Sequence, residues 1–194
     1  MTDNKKIIDL PTSGQLGAEL KRLRRKRSFN KNLRNTVGAL IVIAALAVII
    51  SSAFLPVFRV TGSSMSPTLA NDDVVLCIRT SHYKRGDIVA FHYNNKVLLK
   101  RVIGLPGDII EISEDGTVSV NGGELEEDYI SGKALGECDI EMPYKVPENR
   151  LFVMGDHRAV SIDSRSTAVS CVAYENVLGK VLMRVYPLKS FGRV

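Results

Sequence analysis

The chain has 194 residues, 45% of them apolar, and a formal net charge of +5. That length accommodates a tail, one membrane span and one domain with a core of its own, and it excludes a second large globular domain. The charge excludes a duplex-binding face and a nucleic-acid partner, because it sits at one end: residues 1–34 carry ten Lys/Arg against Asp3, Asp9 and Glu19, a net of +7, which leaves −2 after Arg34.

Residues 1–34 are read as a basic cytoplasmic tail. Within it, Pro11–Arg34 sets Leu16, Leu20 and Leu23 at helical spacing among Lys and Arg. That pattern fits a basic amphipathic helix on an anionic membrane surface, and equally a solvated arm. Residues 35–57 are read as a transmembrane anchor. No charged residue occurs from Asn35 to Phe58, and the apolar run Val37–Ile50, with its flanks, is long enough to cross a hydrocarbon core of ~30 Å. A cleavable secretory signal is the alternative, but its apolar stretch would be only ~7–15 residues and its charged region shorter. Ser51-Ser52-Ala53 is a small-x-small run of the kind that is cut, so release of a soluble form stays open. Basic residues cluster before the span and not after it, which predicts a single pass with the N-terminus in the cytoplasm and everything from about Arg59 outside.

Beyond Pro56 the pattern turns to β. Apolar runs at Val74–Ile78, Asp87–His92, Val97–Ile103, Ile109–Ile112, Val118–Val120, Leu151–Met154 and Val177–Val185 alternate with turn residues. Asp115-Gly116 is the strongest hairpin signal among them. The prediction is a mainly β fold, an antiparallel sheet domain over residues 58–194, preceded by one N-terminal transmembrane helix. Gly123–Arg150 is polar and poorly periodic, and reads as a variable surface excursion between two core strands. Cys77, Cys138 and Cys171 are odd in number. One bridge with one free thiol and three buried thiols both fit, and the spacing gives no metal site.

Three segments carry chemistry. Gly62-Ser63-Ser64-Met65-Ser66-Pro67-Thr68-Leu69 follows the span on a turn, where Gly62 allows an unusual φ and Pro67 biases its neighbour, so a serine is presented at a fixed angle. Lys100 stands in the apolar strand Val97–Ile103; it snorkels from an edge or is buried. Burial disfavours the ammonium, and a neutral amine can take a proton from a hydroxyl. Gly155–Arg165 packs two acids, two arginines, two serines and a histidine into one loop, equipment for orienting something or for ordinary ion pairing.

Together these segments resemble the ordered motifs of the bacterial type I signal peptidases. The motifs are Ser64-Met65-Ser66-Pro67-Thr68-Leu69, Arg85-Gly86-Asp87-Ile88-Val89, Lys100-Arg101-Val102-Ile103-Gly104-Leu105-Pro106-Gly107-Asp108 and Gly155–Arg165, in the family's order. The resemblance runs from the span to near the end of the chain, apart from Gly123–Arg150. It implies a membrane-bound serine endopeptidase that cuts signal peptides from secreted preproteins after a small-x-small motif, through an acyl-enzyme. In that reading Ser64 is the nucleophile and Lys100 the general base. Ser161 hydrogen-bonds the lysine amine, and Asp163 with Arg165 is an ion pair holding the loop, with Asp156 and Arg158 at further orienting positions. The Ser64 N–H meets the oxyanion. Some relatives add a serine donor two residues before the nucleophile; Gly62 stands there, so the backbone or Ser63 must do more. No metal or organic cofactor is implied. Membrane lipid and the secretion machinery are the expected partners, with Phe54, Leu55, Val57 and Phe58 holding the site at the membrane surface.

The last motif departs from the family pattern: His157 replaces an asparagine and Ala159-Val160 replaces Asp-Asn. His157 also admits a Ser-His-Asp reading with histidine as base, while His82 and His92 read as surface residues. Two rival functions stand beside the peptidase. One is a self-cleaving repressor or mutagenesis accessory protein sharing the dyad, against which the span argues; the other is an inactive membrane-tethered binding protein on the same scaffold.

Overall fold

The computed structural model describes residues 13–194; the start of the tail, with Lys5, Lys6 and Pro11, lies outside the described residues. The chain divides into two units, Met1–Ser51 and Ser52–Val194.

The first unit is occupied by most of α1 (Ser13–Phe54), a single helix of 42 residues. At ~1.5 Å per residue it is about 63 Å long, twice the ~30 Å of a hydrocarbon core. Leu16–Ile49 contains a stretch long and apolar enough to cross a membrane, and its charged residues all lie at or before Arg34. Leu40, Ile41 and Ile43 are about 60% exposed, and an apolar helix face of this composition suits lipid. The tail from Ser13 onward is thus helical and continuous with the span. Its Leu, Lys, Arg and Glu are strong helix formers, and Pro56, which biases the residue before it away from helix, lies just beyond the end.

The second unit is built from β1 (Val57–Arg59), β2 (Val74–Ile78), β3 (Ile88–Tyr93), β4 (Lys96–Gly104), β5 (Ile109–Ile112), β6 (Val118–Val120), β7 (Gly123–Glu124), β8 (Tyr144–Lys145), β9 (Arg150–Met154), β10 (Val172–Ala173) and β11 (Val177–Tyr186). Seven strands form one sheet in the order β1-β2-β11-β3-β4-β9-β10, and four form a second in the order β7-β6-β5-β8. Every pairing between strands is antiparallel, as the alternating runs predicted. The strands that the pattern did not mark are β1, β7, β8 and β10, each of two or three residues and too short to show a period.

Two features of this fold prepare the site. Lys100 pairs with Val89 of β3, and the next residue, Arg101, pairs with Met154 of β9. β4 is therefore an interior strand, and Lys100, at 2% exposure, is not an edge lysine. The segment after β1 is pinned from beneath: Met65 and Leu69 are buried in a cluster with Val60, Val75, Ile88 and Leu99. Polar Ser64 and Ser66, on either side of Met65, stay partly exposed.

The excursion 123–150 is exposed or partly exposed at every residue but Val146, and it also contributes to the fold. It supplies β8 to the second sheet, buries Val146, and lays the Ala134 backbone on Gly116 of the β5–β6 hairpin. All three cysteines are free thiols, Cys77 and Cys171 buried. Burial pushes the Cys77 thiol up to about 12 and the Cys171 thiol up to about 11, so neither forms thiolate at neutral pH.

Candidate active site

Ser64 sits on a tight loop. Gly62 has φ +90°, a conformation that side-chain-bearing residues resist, and its N–H donates to Asn71 Oδ1 at 2.8 Å. Ser66 N–H donates to Ser63 O at 3.0 Å and Leu69 N–H to Met65 O at 2.9 Å, a helical turn that sets the direction of Ser64. From the neighbouring strand β4, Lys100 Nζ donates to Ser64 Oγ at 2.6 Å. Within the described residues the Ser64 N–H has no hydrogen-bond partner, which leaves it available to an incoming oxygen.

Burial is the largest influence on the Lys100 amine and lowers its pKa from 10.5 to about 8. Asp163 and Asp156 oppose the shift and Arg165 adds to it. A desolvated ammonium is costly and an uncharged amine is not, so the fold favours the form that can accept a proton at mildly alkaline pH.

The loop 155–165 closes over this pair. Asp163 and Arg165, both wholly buried, form an ion pair with Arg165 Nε 2.8 Å from Asp163 Oδ1. Asp163 Oδ2 also accepts from the Gly155 N–H at 2.9 Å. Arg165 donates onward to the carbonyls of Leu135 at 2.5 Å and Arg158 at 2.9 Å. Asp156 pairs with Arg101 rather than with its near neighbour Arg158, through two hydrogen bonds of 2.9 and 2.7 Å, and it also accepts from Thr68. The nucleophile-like loop, strand β4 and the 155–165 loop are thereby tied together by one carboxylate.

A glycine is required at 155 by close approach. A Cβ there would collide with the Ser64 carbonyl oxygen and with Ser161 Oγ. The Ser64 carbonyl accepts from His157 N–H at 3.0 Å. The expected hydrogen bond from Ser161 to Lys100 is not made. Ser161 is buried, but its hydroxyl lies against Gly155 and has no partner among the described residues.

His157 contributes its backbone and not its ring to Ser64. Its Nδ1 is buried without a partner, and the residue borders a separate cavity with Lys133 and Arg158. A triad with histidine as base therefore has no geometric support, and His82 and His92 lie exposed at the surface.

Two cavities meet at Ser64. One of about 340 Å³ runs between Arg59–Met65 and Lys96–Leu99. The other, about 480 Å³, holds Ser64 and Lys100 and is walled by Val160, Ile162, Ala168 and Val169. Val160 and Ile162 are more than half exposed. Val160, one of the two apolar residues that depart from the expected motif, is thus part of an apolar wall of the cleft, whereas Ala159 borders a different cavity. No group of three or more potential metal ligands occurs among the described residues.

The residues that sequence reasoning passed over are Thr68, Arg101, Glu127 and Tyr129. Thr68 and Arg101 stood inside motifs already singled out. Glu127 and Tyr129 lie in the excursion, where no periodic signal marks them.

Comparison with known proteins adds a family to this geometry. The family described as signal peptidase, peptidase S26, matches residues 33–186. Signal peptidase I of Bacillus licheniformis is 36% identical over 156 residues, 73% of this chain and 83% of the relative. Signal peptidase I S of Bacillus subtilis is 34% identical over 151 residues, 72% of this chain and 82% of the relative. A crystal structure of a signal peptidase I from Enterococcus faecalis is 33% identical, covering 51% of this chain and 96% of that one with a TM-score of 0.42.

Proposed function

Because this chain belongs to the signal peptidases of family S26, serine endopeptidases that cleave signal peptides, we propose that Ser64 and Lys100 form its catalytic dyad. We propose further that it cuts preproteins after a small-x-small motif at the outer face of a membrane. The single observation that carries the dyad is the buried Lys100 amine 2.6 Å from the Ser64 hydroxyl.

Neutral Lys100 takes the proton of Ser64 as Oγ attacks the scissile carbonyl. The oxyanion that forms is met by the Ser64 N–H, a fixed donor of the kind whose loss typically costs ~10²–10³ in rate. Lys100, now an ammonium, gives its proton to the leaving amine, and the bond to the signal peptide's C-terminal carbonyl becomes an ester on Ser64. Water, deprotonated by Lys100, cleaves the ester and frees the serine. Asp163 with Arg165 and Asp156 with Arg101 hold the loop and do not touch the reacting atoms. Ser63 lines the same cavity as Ser64 and Lys100, where its hydroxyl is a candidate second oxyanion donor in place of the side chain that Gly62 lacks.

The two cavities that meet at Ser64, one of them walled by Val160, Ile162, Ala168 and Val169, support recognition of small side chains on an extended substrate. Support for a single-pass anchor comes from the uncharged run that follows Arg34 within the candidate span and from the basic residues ahead of that run, which favour a cytoplasmic N-terminus. In the second unit Phe54 and Val57 are exposed at 62% and 56%, apolar surface suited to lipid contact. Association with the secretion machinery would bring substrate to the same face. The domain plan that follows is a tail over 1–34, an anchor over 35–57 and an extracytoplasmic catalytic domain over 58–194.

Detergent-solubilised full-length protein incubated with a purified preprotein is expected to yield one new N-terminus, directly after a small-x-small tripeptide, as read by N-terminal sequencing of the product. Intact preprotein, or cuts scattered through its mature part, would remove this reading in favour of an inactive binding scaffold.

A further inference from the structure

The second unit buries three arginines among its described residues, Arg101, Arg158 and Arg165, and each has a carboxylate partner. Asp156 and Asp163 serve Arg101 and Arg165 from within the 155–165 loop. The partner of Arg158 comes instead from the excursion: it is Glu127, with side chains 1% and 2% exposed for arginine and glutamate. Arg158 Nη1 donates to Glu127 Oε2 at 2.9 Å, and Nη2 donates to Oε1. Tyr129 OH donates to Glu127 Oε1 at 2.8 Å, and its ring lies against the Arg101 guanidinium, 4.0 Å from centroid to carbon. One turn of the excursion therefore touches two of the three buried arginines.

Arg158 passes this fixation on. Its Nε donates to the Gly155 carbonyl at 3.1 Å, and Gly155 and His157 are the residues against which the Ser64 carbonyl rests. We infer that Glu127, steadied by Tyr129, is a positioning residue for Ser64, acting through Arg158 on the Gly155–His157 backbone. The inference rests on the assignment of Ser64 as nucleophile. Without Glu127, Arg158 is a buried cation with no counter-charge. Its guanidinium must turn to reach water and release the Gly155 carbonyl. A displacement of about 1 Å at the reacting atoms can cost about 10²-fold in rate. Glu127 is not among the charged groups that act on Lys100, which are Asp163, Arg165 and Asp156. Its loss should lower kcat and leave the pH dependence alone.

The test uses full-length detergent-solubilised protein and the same preprotein, comparing the parent with Glu127→Ala, Glu127→Gln and Ser64→Ala. For Glu127→Ala we expect kcat to fall about 10²-fold with KM within about twofold of the parent and an unmoved pH midpoint. The substitution leaves a carboxylate-sized gap at Arg158, which borders a surface cavity of about 240 Å³. Added formate should therefore restore at least about tenfold of the lost rate, saturably, while formamide should not. Glu127→Gln, which keeps the shape and loses the charge, should fall between parent and Ala, and it decides the matter if Glu127→Ala does not fold. Parent-like kcat in Glu127→Gln, or a loss in Glu127→Ala that formate leaves untouched, overturns the inference. Parent-like cleavage by Ser64→Ala instead removes the assignment of the nucleophile, a result separable from the other two.

Discussion

Ser64→Ala and Lys100→Met are each expected to lower kcat/KM for preprotein cleavage by at least about 10³-fold, because groups that act as one catalytic unit lose nearly all of their effect when either is removed. The two substitutions isolate chemistry from folding. Ser64 is only partly buried, and removing one hydroxyl from an exposed loop leaves Met65 and Leu69 seated in the core. Methionine at position 100 keeps the length of the lysine stem within β4 and relieves the strand of an amine that burial already disfavours as a cation. Both variants should melt with the parent. A Lys100→Met protein that is folded and cleaves within about tenfold of the parent rate would show that another group takes the proton from Ser64.

Arg165→Met should act in the opposite way, through stability first. Asp163 and Arg165 are both wholly inaccessible to solvent, and the arginine also donates to the carbonyls of Ala134, Leu135, Arg158 and Ser161. Truncating it strands a buried carboxylate and four carbonyls. Breaking a buried pair in this one-sided way typically costs about 3–5 kcal/mol, a drop in melting temperature of about 10 °C for a domain of this size. The double substitution Arg165→Met with Asp163→Leu removes both charges and should recover part of the loss, measurable by thermal denaturation of the parent, the single Arg165→Met variant and the double variant. Equal melting temperatures for parent and Arg165→Met would mean that this pair contributes nothing to the fold.

The larger strands were legible because each is an apolar run closed by turn residues. Ile109–Ile112 and Val118–Val120 around Asp115-Gly116 became β5 and β6 with the predicted hairpin. The two-residue β8 and β10 had no such signature and depend on partners distant in the chain. At Lys100 the sequence alone left two answers, since an apolar strand with one lysine suits an edge as well as an interior. Pairing of β4 with both β3 and β9 decides for the interior. The excursion was the least legible part. Its contributions to the 155–165 loop are single side chains and carbonyls that reach across about thirty residues, as Glu127 does with Arg158 and Leu135 with Arg165. Contacts of that kind repeat at no interval and leave no mark on composition. Val160 shows the converse: read as a loss from the last motif, it stands in the cleft wall as an apolar surface.

The central claim is that an uncharged Lys100 takes the proton from Ser64, and the pH dependence of kcat/KM for a single preprotein tests it most directly. Activity depends on the deprotonated amine, so it should be low on the acid side and rise with pH through an apparent pKa of about 8 to a plateau. A profile that is flat across this range, or that keeps rising toward the ~10.4 of an ordinary lysine, would contradict it.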